Sequence, residues 1–88
     1  MPSPLPAILD TNAGGELRRR LRAAIGEGQS LVIDGSAVEQ AGLACLQVLA
    51  AARIAADAAG LDFRIAAPSD SLKAMIALAG LGPALALA

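Results

Sequence analysis

The stretch "LVIDGSAVEQAGLACLQ" holds the residues of this chain best suited to chemistry. Asp34 ends a short apolar run. Ser36, Glu39 and Gln40 follow among small residues, and Cys45 and Gln47 come soon after. An acid at the end of a strand can serve as a general base, a nearby serine as a nucleophile or phosphate acceptor, and a cysteine as a thiolate. Each of these lacks the partner its chemistry requires. The chain has no histidine, which removes Ser-His-Asp and Cys-His relays and every His-containing metal site. Its eight acids, Asp10, Glu16, Glu27, Asp34, Glu39, Asp57, Asp62 and Asp70, are scattered, without the spacing of a carboxylate dyad or a metal cage. Cys45 lies in the apolar "GLACLQVL" and reads as a small buried residue rather than a reactive thiol. "GEGQS" lacks the lysine and the spacing of a phosphate-binding loop and reads as a helix-ending turn. The expectation is a protein that is not an enzyme, with no cofactor and no metal.

Composition narrows the remaining classes. At 88 residues the chain is expected to form a single domain over 1–88, burying roughly 60–65% of its unfolded surface. Phe63 is its only aromatic residue, so no stacking platform for bases or sugars is available. A net charge of −1 gives no overall pull toward nucleic acid or an anionic membrane. The charge-free run Ala74–Ala88 is broken by Gly80, Gly82 and Pro83 and is too short to cross about 30 Å of hydrocarbon. "MPSPLPAILD" has no basic region and reaches an acid at Asp10, which makes a poor signal peptide. A lone cysteine cannot form an internal disulfide, and a reducing cytoplasm is the simplest home.

The elements that would carry these residues follow from periodicity. "LPAILDT" reads as a strand over Leu5–Thr11, its prolines keeping it at an edge. Leu17, Leu21, Ala24 and Ile25 form a helical stripe in "TNAGGELRRRLRAAIGEG", with Thr11 or Asn12 as cap and Gly26 and Gly28 as stop. "SLVIDG" reads as a central strand buried on both faces. The second helix, about Gly42–Ala59, is apolar almost all round, so it is either largely buried or keeps an open face for a partner. Gly60 ends it. "LDFRIAA" alternates as a strand. "PSDSLKAMIALAGLGP" is a third helix with Ser69 as its N-cap, and "ALALA" is a further short strand or a frayed end. The order β-α-β-α-β-α predicts an α/β fold: a small, mixed, mainly parallel sheet with helices packed against it.

Aligned on Asp34 and Val38, the chain resembles the STAS domain of bacterial anti-sigma factor antagonists. The family pattern is an apolar strand ending in Asp, small residues, a Val or Leu, a loop carrying Asp-Ser-Ser-Gly or Asp-Thr-Ala-Gly, and a Leu opening a helix. "VIDGSAVEQAGLACLQVLAAAR" follows it without gaps from Val32 to Arg53. The strand, Pro-Ser loop, helix and closing Leu-Gly of "ADAAGLDFRIAAPSDSLKAMIALAGLG" follow as well, so the resemblance runs from about Leu5 to Leu85. It is nearest to STAS proteins found with alphaproteobacterial chemotaxis genes, through "ACLQVLAAA". Similar domains also serve as small cytoplasmic subunits of phospholipid-trafficking ABC transporters.

One departure carries a consequence. In this register the motif Asp falls on Gly42, the phosphoacceptor on Leu43 and the Gly on Cys45. An alternative register over "QAGLACL" puts Gln40 and Ala41 where hydroxyls belong. Neither register retains the phosphoswitch. A full STAS domain also opens with a strand pair, and only one strand is evident here. The resemblance therefore implies an adaptor that is not switched off by phosphorylation at this site. Its partner would be a signalling protein: an anti-sigma kinase, a chemotaxis component or a response regulator. Ser36, Glu39, Gln40, Leu43 and Gln47 are the expected partner contacts, and Asp34 the loop anchor, accepting backbone N–H bonds from the loop. The cluster Arg18, Arg19, Arg20 and Arg22 reads as a solvated helix face, and nucleic acid and membrane insertion are not expected. Whether a second copy supplies the missing strand, giving a homodimer, stays open.

Overall fold

Three parallel strand pairings organise the chain, and each is short. The structure is a computed structural model and describes residues 3–85. Strands β1 (Ser3–Pro4), β3 (Leu31–Asp34) and β5 (Phe63–Ala66) form one sheet in the order β1-β3-β5. Strands β2 (Ile8–Leu9) and β4 (Gln40–Ala41) form a second, two-stranded one. Helices α1 (Thr11–Gly26), α2 (Leu43–Ala58) and α3 (Asp70–Leu78) follow β2, β4 and β5, and a 3₁₀ turn covers Pro83–Leu85. A small α/β fold with a parallel sheet and three helices is thus what the chain forms.

Of the N-terminal strand expected over Leu5–Thr11, only Ile8–Leu9 forms a ladder, as β2, and a separate strand, β1, precedes it at Ser3–Pro4. Pro6 has no N–H to offer a ladder, and the chain turns there from β1, beside β3, to β2, beside β4. Two short N-terminal strands are thus present where the sequence reading found one, each in a different sheet. Helix α1 then begins earlier than expected. Asp10, not Thr11 or Asn12, is its cap, and the Asp10 carboxylate accepts from the Ala13 N–H at 2.9 Å. An aspartate is among the strongest N-caps.

All three helices end alike. Gly28, Gly60 and Gly80 take positive φ just past the helix ends. In each case the next N–H reaches back: Gln29 to the Ala24 carbonyl, Leu61 to Ala56 and Leu81 to Ile76. This six-to-one closure needs a residue without a Cβ penalty. Ser69 caps α3 as expected, accepting from the Leu72 N–H at 3.0 Å. The last three residues of "ALALA" lie outside the described residues; Ala84 and Leu85 belong to the 3₁₀ turn rather than to a strand.

The core gathers Leu9, Leu17, Leu21, Leu31, Ile33, Val38, Leu46, Leu49, Ile65, Leu72, Ile76 and Leu85. Within β3 only Leu31 and Ile33 are buried, while Val32 and Asp34 are half-buried. One face of the central strand is sealed and the other is partly covered, short of the two sealed faces expected. Arg53 donates to the Pro83 and Ala84 carbonyls at 3.1 and 2.9 Å, tying α2 to the C-terminal turn. Helices α1 and α2 come close at Gly14, where a Cβ would stand 3.2 Å from the Cys45 sulfur. Gly14, in the first turn of α1, is therefore a packing residue.

Leu46 and Leu49 are both sealed in this core. Truncating a buried leucine costs about 2–5 kcal/mol, in a domain class whose total stability is about 5–15 kcal/mol. Leu46→Ala should leave the domain marginal or unfolded in chemical denaturation followed by circular dichroism, since the chain has no Trp or Tyr. A loss under about 1 kcal/mol would contradict the packing of α2.

Candidate partner-binding site

The segment from Gly35 to Gly42 is a short bridge held at both edges, and its exposed residues are the ones left over. Asp34 starts it. The Asp34 carboxylate accepts from the Ser36 N–H at 3.0 Å. That bond and a second from the Ser36 hydroxyl hold the carboxyl below its ordinary range, against a smaller opposing effect of desolvation. The Asp34 carboxylate is thus occupied with local turn formation.

Gly35 and Val38 attach the bridge to α3. The Ser69 N–H donates to the Gly35 carbonyl at 3.0 Å, and the Ser69 hydroxyl donates to the Val38 carbonyl at 2.6 Å. The Val38 side chain is buried. The N-terminal segment holds the opposite edge. The Ala7 carbonyl accepts from the N–H groups of Glu39 and Gln40 at 2.8 and 3.1 Å, and the Leu9 carbonyl accepts from Gly42 at 2.9 Å. The Cys45 thiol donates to the Asp10 carbonyl at 3.1 Å. Burial raises the thiol's pKa, and the charge of Asp10 adds to this; Cys45 is buried, as its apolar setting implied.

Glu39 and Gln40 are therefore not on a free loop. Gln40 is the first residue of β4, paired with Ile8, although both Glu39 and Gln40 remain exposed as expected. Ser36 is exposed at the turn. Leu43 is the first residue of α2 and is 56% exposed, and Ile8 is 53% exposed. Gln47 is exposed one turn further on, with no hydrogen bond to the described residues. The residues missed by sequence reasoning are Ile8 and the backbone of Ala7–Asp10. A two-residue parallel pairing leaves no alternation long enough to read, so only the proline at Pro6 hinted at a break.

The exposed residues here are apolar at Ile8 and Leu43 and polar at Ser36, Glu39, Gln40 and Gln47, with Ile8 across from Gln40. They offer contacts and carry no assembled acid–base pair. Among the described residues no three Cys, Asp or Glu side chains cluster as metal ligands do. Nor is any helix there long and apolar enough to cross a membrane.

The family described as "Mlab, STAS domain" matches residues 5–87 of the chain. No significant match was found among curated proteins or among solved structures.

The anchored carboxylate makes a pH-dependent prediction. A carboxyl whose folded pKa is depressed adds stability at neutral pH, and that contribution is lost as pH falls through the folded value. Asp34→Ala should be less stable than the parent at pH 7. The gap should close as pH drops below about 4, the ordinary range of an aspartate. A gap that stayed constant down to pH 3 in denaturation curves would show that the carboxylate charge does not hold the turn.

Proposed function

Because this chain belongs to the STAS domain family, we propose that it is a non-enzymatic protein–protein interaction module of bacterial signalling, an anti-sigma factor antagonist or a chemotaxis-associated adaptor. STAS domains are as a rule non-catalytic binding domains, which agrees with the unassembled chemistry of the corner. The partner, an anti-sigma kinase, a chemotaxis component or a response regulator, would bind across Ser36, Glu39, Gln40, Leu43 and Gln47 in the cytoplasm. The observation that carries this reading is Leu43: an exposed leucine opening α2, where family members that are switched by phosphorylation carry a hydroxyl. It keeps the surface and removes the switch. A phosphate would add about −1.5 to −2 charges at such a point, and a leucine cannot accept one.

A second reading is the small accessory subunit of a phospholipid-trafficking ABC transporter. It is favoured by the description of the matching family, which names Mlab and not an anti-sigma factor antagonist. Both readings use a protein partner, and capture of the partner from the source cell, with its identification, separates them.

Two outcomes test the site. Incubation with ATP and a cognate anti-sigma kinase should leave the intact mass unchanged, and Leu43→Ser should restore a single phosphate. A phosphate mapped to Ser36–Gln47 in the parent protein would sink the claim. The second outcome concerns the interface. Glu39→Arg should change stability by no more than about 0.5 kcal/mol, as exposed substitutions do. It should weaken partner binding about tenfold, roughly 1.4 kcal/mol. Arg19→Glu on the exposed side of α1 should have little effect. Loss of binding with Arg19→Glu but not with Glu39→Arg would move the interface off the corner.

A further inference from the structure

Beside the corner, α1 and α2 leave a groove of about 400 Å³ between them. Its floor and α2 wall are Leu21, Ile25, Val48, Ala51 and Ala55, and Arg18 and Arg22 stand on its α1 rim. Alanines at Ala51 and Ala55 keep it open, since larger side chains there would fill it. It is accessible: Arg18, Arg22, Ala51 and Ala55 are all exposed. The exposed apolar surface continues over the top of α2, where Ile54 is 67% exposed on the side shared with Leu43 and Gln47, at about 3.6 residues per turn.

The charge of the groove is one-sided. Arg18 and Arg22 make no salt bridge and no hydrogen bond among the described residues, where the ion pairs are Arg53–Asp57 and Lys73–Asp70. No acid lines the groove. Helix α1 carries four arginines against the single Glu16, while the rest of the chain has three cations against seven acids. The fold thus sets a cationic helix beside an apolar trough in a chain of net charge −1.

We propose that this groove binds an acidic amphipathic helix of a partner protein, with apolar side chains in the trough and carboxylates on Arg18 and Arg22. Residues four apart lie one above the other on a helix, so acids at i and i+4 on the incoming helix match this pair. Arginine is suited to such contacts because its planar fork takes a carboxylate through two hydrogen bonds. Helix-in-groove docking is a common mode of peptide recognition. Two other occupants fit less well. A nucleic acid would meet two cations and an apolar floor with no aromatic residue to stack on. A second copy of this chain lacks the required helix: α1, α2 and α3 carry one acid each, Glu16, Asp57 and Asp70. The groove adjoins the corner through Ala44 and Gln47 but does not depend on the corner's being a partner site.

The test uses the full chain and a fluorescein-labelled helical peptide of about 18 residues, or five turns, with a leucine stripe flanked by glutamates at i, i+4. Fluorescence anisotropy should give saturable binding that weakens as salt rises, since exposed charge pairs are screened. The same peptide with lysines for glutamates should bind at least about tenfold more weakly. Arg18→Glu with Arg22→Glu should cost at least as much, and Ala51→Trp, which fills the trough, should also block binding. Arg19→Glu and Glu39→Arg should each change it less than about threefold, which separates the groove from the corner. Should the double reversal fail to fold by circular dichroism, Ala51→Trp and the lysine peptide carry the test. No binding, equal binding of the lysine peptide, or indifference to both the arginine and the Ala51 changes would overturn the proposal. So would arginine-dependent binding of phosphatidylglycerol vesicles or single-stranded DNA without the peptide, or a dimer in sedimentation that the arginine reversals dissolve.

Discussion

The contact between Gly35 and the start of α3 governs where everything near the corner lies. A Cβ on Gly35 would stand 2.6 Å from a Leu72 methyl and 3.3 Å from both Ile65 and the Pro68 backbone. Only the bare backbone fits. That closeness lets Gly35 act as a junction: its N–H donates to the Ala66 carbonyl, and its own carbonyl accepts from Ser69 and Val38. Leu72 and Val38 are buried as a result. The chain reaches this arrangement at a local cost, because Ala67 holds φ at +48°, a region that a residue with a side chain enters unwillingly. The bonds made by Ser69 on either side of the junction hold it there.

With the loop pinned at Gly35 and Val38, its far edge can be fixed only from the N-terminal segment. Ala7, Leu9 and Asp10 do this with backbone carbonyls alone, which accept from Glu39, Gln40, Gly42 and the Cys45 thiol. A carbonyl that accepts from a backbone N–H imposes no side-chain identity on the residue it holds. Glu39 and Gln40 are held in this way, so their exposed side chains can be specialised for a partner without loss of the fold. Binding residues on short segments placed by a rigid frame are the usual arrangement.

The parts of the fold legible in the sequence are those with a local chemical cause. The glycine stops, the Ser69 cap, the leucine stripe of α1 and the anchored Asp34 each depend on neighbours a few residues away. The parts that were not legible depend on distant partners. Ile8–Leu9 and Gln40–Ala41 are strands because they find one another across the chain; alone, each is too short for any pattern. Asp10 displaced Thr11 as the cap because the strand stopped two residues early, at Leu9, leaving the aspartate in extended backbone. Gly14 lies in the first turn of α1, where glycine is a poor helix former, and its use is visible only with Cys45 beside it. At the candidate site, exposure of Glu39 and Gln40 was readable from the break between strand and helix, whereas the exposure of Ile8 beside them was not.

Helix α2 links the corner and the groove through its alanine content. An alanine buries little apolar area, so the helix is held to the sheet by few side chains, mainly Leu46 and Leu49, with Cys45 against α1. The same small residues leave its outer side low and apolar, with Leu43 and Ile54 standing out of it. Exposed large apolar side chains on a small domain invite association. On the proposed reading that cost is offset when a partner covers them. Because Leu43 cannot take a phosphate, such a complex would be governed by the partner's concentration and by the charge match at α1. Its strength would then respond to salt and to competing helices, and not to a kinase acting at Leu43.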